Sequence, residues 1–180
     1  NLLYQKAKLD NMTLINFPTL KLKNELKKYA IVTLHRPSNV DNFEVFNGIA
    51  DSLNEISKSL PIIFPVHPRT RKNIKKFNII FNNNIFLIDP LSYLEFLNLW
   101  KDSEVVLTDS GGLQEETSAL GIRCITIRNN TERPVTIEKG TNTLAGNNPS
   151  KIIATFKNNN KNKPCQIELW DGLSALRIAN

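Results

Sequence analysis

Two adjacent glycines separate a strand-like run from a helix-like run in the second half of the chain. The apolar run Val105–Thr108 leads into Ser110, Gly111 and Gly112. The first N–H groups of a helix have no partner inside it, and the helix dipole adds partial positive charge there. Since glycine has no Cβ, a phosphate can approach this backbone closely. Glu116 follows Gly112 by four residues, so it shares that helix face and can accept hydrogen bonds from sugar hydroxyls. The pattern predicts a site for a phosphate joined to a ribose.

A structural interpretation of the same residues competes with this one. Ser110 can be an ordinary helix N-cap, and Glu115 and Glu116 can simply complement the helix dipole. However, Leu113 occupies the position where a capping box would carry an acid, so the Ser110 hydroxyl is not obviously committed. Adjacent helical residues point about 100° apart, so only one of the two glutamates can face the pocket, and the spacing from Gly112 selects Glu116.

The two histidines of the chain both follow strand-like apolar runs. His35 is followed directly by Arg36, and His67 stands in the same relation to its own run. An imidazole can donate to a phosphate or move a proton near neutral pH. A lone histidine is usually structural, but two histidines at strand ends favour a functional interpretation.

Three further residues have open roles. Arg128 and Arg133 lie in a turn-rich segment, and guanidinium groups suit bidentate contact with phosphate. The alternative is a solvated loop with an internal Glu–Arg pair. Phe96 lies off the apolar stripe of its helix, so it can belong to the core or form a stacking surface for a flat base.

The surrounding sequence alternates between strand and helix periods. Buried-strand runs occur at 30–34, 61–66, 85–88, 104–108 and 123–127, with a last unit near 143–145. Helical spacing lies between them, and Ser92 is a candidate cap for one helix. This order predicts an α/β fold with a parallel sheet covered by helices on both faces. The prolines of the second run indicate an edge strand or strand ends.

Ligands of such sheets bind at the carboxyl ends of the strands. That rule gathers five segments at one edge of the sheet. They are His35–Arg36, His67–Arg69, Asp89–Leu91, Asp109–Gly112 and Arg128–Arg133.

Composition bounds the remaining possibilities. The 180 residues carry a net charge of +6 and suffice for about one domain with its own core. Basic residues are scattered rather than clustered with aromatics, which argues against nucleic-acid binding. No apolar run is long enough to span a bilayer, and the start lacks both Met and a signal-peptide layout. Cys124 fits a small core residue, and its distance from Cys165 argues against a disulfide scaffold or zinc site, so we expect a cytoplasmic protein.

Taken together, these segments resemble the C-terminal half of non-hydrolysing UDP-N-acetylglucosamine 2-epimerases. The most specific matches are Asp109–Glu116 and Thr131–Pro134. Other matching runs occur in the family's order at 32–41, 64–71, 89–94, 139–142 and 169–172.

The resemblance implies a Rossmann-like domain, the C-terminal domain of a glycosyltransferase-B architecture in which two halves close over a UDP-sugar. The sequence predicts an N-terminal helix and connector at 1–29, and a short C-terminal helix at 166–180. Between them, the resemblance implies a Rossmann-like UDP-binding domain at 30–165. The implied contacts are Ser110, Gly111 and Gly112 at the diphosphate, Glu116 at the ribose, Phe96 and the backbone near Leu91 at the uracil, and His35 and Arg133 at the phosphates.

The implied reaction converts UDP-GlcNAc to UDP-ManNAc by elimination and re-addition of UDP, without a cofactor or metal. His35 is the catalytic residue that this half supplies, while the catalytic carboxylates belong to the N-terminal half. The full-length protein is expected to be a homodimer. In some bacterial relatives the positions of Arg36 and His67 line a regulatory UDP-GlcNAc site, but Ser38 stands where many members carry an acidic residue, a difference that argues against this site here. Leu91 stands where family members often carry Gln, so only its main-chain contact with the uracil is implied.

Three other functions fit the same sequence. The substrate can be a related UDP-2-acetamido sugar or uronate. The chain can also be half of a UDP-sugar glycosyltransferase, because the fold does not fix the chemistry, or a UDP-sugar sensor without catalytic activity.

Overall fold

The protein is built around one sheet of six parallel strands. The computed structural model describes residues 2–12, 16–158, 167–173 and 177–178. The strands are β1 (Ala30–Thr33), β2 (Ile62–Pro65), β3 (Ile85–Ile88), β4 (Val105–Thr108), β5 (Cys124–Thr126) and β6 (Asn142–Leu144). Their order in the sheet is β3-β2-β1-β4-β5-β6, the order of Rossmann folds that bind dinucleotides. Every strand-like run of the sequence forms a strand.

Helices connect the strands. They are α1 (Leu2–Asp10), α2 (Leu20–Leu26), α3 (Pro37–Val40), α4 (Phe43–Ser57), α5 (Pro68–Phe77), α6 (Tyr93–Trp100), α7 (Gly111–Leu120), α8 (Pro134–Glu138) and α9 (Pro149–Lys157).

Both faces of the sheet are covered by helices, as predicted. Val32 and Leu107 point to one face, where they join a core that includes Leu53 of α4. Their neighbours Ile31 and Val106 point to the other face, into a core that includes Trp100 of α6. This alternation follows from the two-residue period of a strand. The predicted α/β class, with a Rossmann-like parallel sheet, is confirmed.

The prolines of the second strand predicted either an edge position or strand ends, and the strand ends are confirmed. β2 lies between β1 and β3 and pairs with both. The alternative explanation of its prolines holds, because Pro61 precedes β2 and Pro65 is its last residue. At these positions a missing N–H costs the sheet little.

Several local predictions are also confirmed. The Ser92 side chain caps α6 by accepting from the Glu95 N–H at 3.4 Å. Gly121 ends α7 with φ +72°, the left-handed conformation that glycine adopts without strain. Cys124 is fully buried, and burial raises the pKa of its thiol to about 11. Cys165 lies outside the described residues. Within the predicted terminal helix at 166–180, residues 167–173 form turns and bends, residues 177–178 are helical, and the other residues are not described.

In the part of the chain that the structure describes, no helix is long and apolar enough to cross a membrane. The same residues contain no cluster of three or more side chains that could hold a metal ion.

Candidate functional site

The loop between β4 and α7 leaves the first turn of the helix open. Ser110 is the N-cap residue, but its side chain makes no capping hydrogen bond within this described helix. A Cβ added to Gly112 would meet no described atom within 4 Å, and one added to Gly111 would meet only Glu132 Oε2, at 3.8 Å. The hydroxyl of Ser110 and the first N–H groups are therefore available to a ligand.

Buried polar contacts hold this loop in place. The Thr108 Oγ1 accepts from the Ser110 N–H at 3.0 Å and lies 2.7 Å from Thr33 Oγ1. Gln114 donates to the Ser110 carbonyl at 3.2 Å and accepts from the Thr131 hydroxyl at 2.6 Å. These polar groups therefore fix the loop and leave the N-terminus of α7 uncapped.

Glu115 and Glu116 have different partners, as their angular separation requires. Glu116 Oε1 accepts from the Tyr93 hydroxyl at 2.8 Å. Burial raises the pKa of the Glu116 carboxyl, although the Tyr93 hydrogen bond opposes this shift. Glu115 instead faces Arg133, with 2.9 Å between Glu115 Oε1 and Arg133 Nε.

The two arginines predicted for phosphate contact differ in availability. Arg128 pairs with Glu132 at 2.7 Å between Nη2 and Oε1, which is the internal pair of the alternative interpretation. The buried Nε of Arg133 has no hydrogen-bond partner of good geometry among the described residues, despite its short distance to Glu115. The Arg133–Glu115 pair is therefore a contact between opposite charges without a well-aligned hydrogen bond.

The His35 ring contacts the buried carboxylate of Asp109. Its Nδ1 lies 2.9 Å from Asp109 Oδ1, and Asp109 is fully buried at the end of β4. The Asp109 carboxylate also accepts from the backbone N–H groups of His35 and Arg36 and from the side-chain amide of Asn39. The His35 side chain keeps 41% of its surface exposed, so its free edge remains accessible.

From the sequence, Asp109 was expected at the edge of the sheet that carries the other site residues, but no role was predicted for it. Paired residues of β1 and β4, such as Ala30 and Val105, are 75 positions apart in sequence, and only the pairing of these strands brings Asp109 beside His35. The available signal was an acid directly after a buried strand, which becomes informative once the sheet order 3-2-1-4 is assumed.

His67 lies beside His35, with 5.9 Å between the ring centroids. Its Nδ1 accepts from the Arg69 N–H at 3.2 Å and so caps α5. Arg36 lies at the same edge, and its buried Nε has no partner among the described residues. The residues predicted for a regulatory site are thus adjacent to His35.

The predicted site residues fall into two groups. A cavity of about 190 Å³ at the ends of β1, β2 and β3 brings together His35, His67, Leu91 and Phe96. Phe96 is half-buried and also packs against the core, as one of its two predicted roles requires. Glu116 borders a second cavity, of about 270 Å³, on the α7 side.

Comparisons with known proteins agree with this geometry. The family model described as UDP-N-acetylglucosamine 2-epimerase matches residues 2–180. A UDP-N-acetylglucosamine 2-epimerase of Methanococcus maripaludis is 50% identical over 137 residues, which are 73% of this chain and 37% of that protein. A UDP-2,3-diacetamido-2,3-dideoxy-D-glucuronate 2-epimerase of Pseudomonas aeruginosa is 36% identical over 130 residues, covering 72% of this chain and 36% of its own length.

Solved structures give the same result. The crystal structure of the Methanocaldococcus jannaschii UDP-GlcNAc 2-epimerase in complex with UDP-GlcNAc and UDP is 38% identical, with a TM-score of 0.82. The similarity covers 99% of this chain and 51% of that one, so this chain spans about half the length of that relative. With a match along nearly its whole length, the chain belongs to the UDP-N-acetylglucosamine 2-epimerase family.

Proposed function

We propose that this chain binds the uridine diphosphate part of a UDP-sugar and forms the nucleotide-binding half of a UDP-N-acetylglucosamine 2-epimerase. The observation that carries the proposal is the open first turn of α7, where the Ser110 side chain makes no cap within the helix and Gly112 has free space beside it. Backbone N–H groups with no internal partner suit a diphosphate, whose charge the helix dipole also favours.

The other residues fit around a nucleotide in this position. Glu116 follows the glycines by one turn, and its carboxylate accepts hydrogen bonds, as the Tyr93 contact demonstrates; we assign it to the ribose hydroxyls. The half-buried Phe96 and Leu91 line an apolar cavity of about 190 Å³, to which we assign the uracil. Arg133 and His35 complete the set as phosphate contacts.

The proposed reaction is epimerisation at C2 of UDP-GlcNAc. A base removes the C2 proton, the C1–O bond breaks with its electron pair passing to UDP, and a 2-acetamidoglucal forms. Re-addition of UDP and return of a proton to the opposite face give UDP-ManNAc. This half contributes hydrogen-bond donors and positive charge where the charge of the leaving diphosphate develops, and His35 is its candidate catalytic residue.

The carboxylates that move the C2 proton are expected on the other half of the enzyme. We therefore expect the 180-residue chain to bind UDP and UDP-GlcNAc weakly and to produce no UDP-ManNAc. Amide resonances of residues 110–112 should move when UDP is added, and NMR of a mixture with UDP-GlcNAc should reveal no epimer. Unmoved amide resonances contradict the proposed binding site, and turnover by the chain alone contradicts the division of labour between the halves.

A related UDP-sugar is the second candidate substrate. It is favoured by the similarity to the Pseudomonas aeruginosa protein, whose name specifies a diacetamido uronate. Product analysis with the complete enzyme across UDP-GlcNAc and UDP-diacetamido uronate separates the two. We extend the proposal to a homodimeric, cytoplasmic full-length enzyme, in which Arg36 and His67 form the regulatory site that the family resemblance implies.

A further inference from the structure

The same ring nitrogen has opposite neighbours in the two histidines, a carboxylate oxygen at His35 and a backbone N–H at His67. Asp109 Oδ1 faces the Nδ1 of His35 at 2.9 Å. A carboxylate only accepts, so this Nδ1 carries the proton. The Nδ1 of His67 accepts from the Arg69 N–H, so in the neutral ring its proton is on Nε2.

We propose that Asp109 is a positioning residue that fixes His35 as the Nδ1–H tautomer, with an unprotonated Nε2 available to the cavity it shares with His67. The cavity then has one acceptor nitrogen, on His35, and one donor nitrogen, on His67, on rings 5.9 Å apart. A substrate hydroxyl, which both donates and accepts, can be bound by the neutral pair. A phosphate oxygen only accepts, so His35 can contact it only after Nε2 takes up a proton.

The burial and anchoring of Asp109 fix the position of the carboxylate that sets the His35 tautomer. Its carboxylate is fully buried and is anchored by three further donors: Oδ2 lies 2.9 Å from the Arg36 nitrogen, 3.1 Å from the His35 nitrogen and 3.2 Å from Asn39 Nδ2. Oδ2 thus accepts from three donors of the loop, while Oδ1 faces the ring nitrogen and shares the His35 N–H at 3.2 Å. Asp109 also balances the charge of His35 when Nε2 gains a proton, in the manner of the carboxylate of a catalytic triad.

This division of the two oxygens predicts an inversion. In Asp109→Asn, the amide oxygen can keep the Oδ2 contacts, which places the amide NH₂ opposite the His35 Nδ1. An NH₂ group donates, so Nδ1 must become the acceptor and the proton must move to Nε2. The neutral ring would then contact a phosphate without taking up a proton.

The test is NMR of the histidine ring nitrogens in the 180-residue chain, recorded at a pH above the histidine titrations. We expect a protonated Nδ1 for His35 and a protonated Nε2 for His67 in the wild type, and inversion at His35 alone in Asp109→Asn. An Nε2–H tautomer for His35 in the wild type overturns the inference, and that measurement needs no variant to fold.

A matched variant separates positioning from structural support. Asn39→Ala removes one donor to Oδ2 and a bond to the Ile127 carbonyl, so it should lower stability without changing the His35 tautomer. If it inverts the tautomer as Asp109→Asn does, the effect reflects general loosening of the loop and the inference fails.

Adding UDP near neutral pH tests the functional consequence, which rests on the proposed function. Asp109 and His67 lie beside the His35 ring, and Arg36 is the next residue in the chain. We expect UDP to increase the doubly protonated fraction of His35 in the wild type but not in Asp109→Asn. If UDP moves neither the ring signals nor the amides of 110–112, the proposed binding fails while the tautomer assignment stands. If UDP moves the amides but leaves His35 singly protonated, the proposed proton uptake is wrong.

Discussion

Helices α7 and α9 both begin just after a strand at the same edge of the sheet, but their first turns differ. At α9, the Asn148 side chain accepts from the Lys151 N–H at 3.1 Å, and Pro149 has no N–H to satisfy. At α7, the Ser110 side chain makes no such bond, and two glycines follow it. The α9 start uses side-chain chemistry that stabilises a helix, whereas the α7 start omits it.

This difference has a cost in folding free energy. An N-cap hydrogen bond contributes about 1 kcal/mol, and glycine in a helix is about 1 kcal/mol less favourable than alanine. Nothing described near Gly112 explains its lack of a side chain, because a Cβ there would contact no atom within 4 Å. The comparison therefore separates a helix start suited to stability from one suited to a ligand.

The largest expected effect comes from placing a carboxylate at the second helical position of each helix. Gly112→Asp brings a negative charge to the proposed diphosphate site, and we expect UDP affinity to fall at least ~100-fold, or about 2.8 kcal/mol. Ser150→Asp is the matched control in α9. It should stabilise the protein by about 0.3–1 kcal/mol through the helix dipole and leave UDP affinity unchanged. Calorimetric titration with UDP and urea unfolding measure both quantities, and equal UDP binding by the two variants contradicts the comparison.

Alanine at the two N-cap positions should have opposite consequences, because one substitution should lower stability and the other should weaken UDP binding. Asn148→Ala removes a capping bond and should lower the free energy of unfolding by about 1 kcal/mol without affecting UDP. Ser110→Ala should leave stability nearly unchanged and weaken UDP binding by about tenfold, equivalent to one hydrogen bond of about 1.4 kcal/mol. Urea denaturation and UDP titration of both proteins check this, and a stability loss in Ser110→Ala as large as that in Asn148→Ala would mean that Ser110 is only a cap.

The contrast also explains which features the sequence could predict. Strand runs such as Ala30–Thr33 and helix signals such as Ser92 and Gly121 act through local chemistry, so their positions were predicted within a residue or two. The site at α7 was predictable because Ser110 and the two glycines lie in one short run.

The features that the sequence could not predict depend on contacts between distant segments. Asp109 acquires its partner His35 only when β1 pairs with β4. Arg133 meets Glu115 only when the loop before α8 folds against α7. The sequence left open whether β2 is an edge strand or has prolines at its ends, because prolines report where a strand ends more directly than where it lies in a sheet.

The smallest expected effect on UDP binding concerns Glu116, one turn further along α7. Burial raises the pKa of Glu116 in the folded protein, so folding favours its protonated form, and stability is lost as pH rises through the folded pKa. Glu116→Gln keeps an acceptor for Tyr93 and removes the charge. We expect it to raise the free energy of unfolding at neutral pH, with the gain disappearing below the ordinary pKa of a glutamate, while UDP binding weakens about three-fold, or roughly 0.7 kcal/mol.

Glu55 of α4 provides a control with the opposite sign. A hydrogen bond and the charge of Lys58 lower the pKa of this exposed carboxyl, so its contribution to stability is present at neutral pH and is lost as pH falls through the folded pKa. Glu55→Gln should therefore reduce stability at neutral pH and leave UDP affinity unchanged. Urea unfolding at neutral and acidic pH, with UDP titrations at neutral pH, distinguishes the two carboxylates. If Glu116→Gln destabilises the protein as Glu55→Gln does, Glu116 is a structural group, and the open start of α7 loses its partner for the ribose.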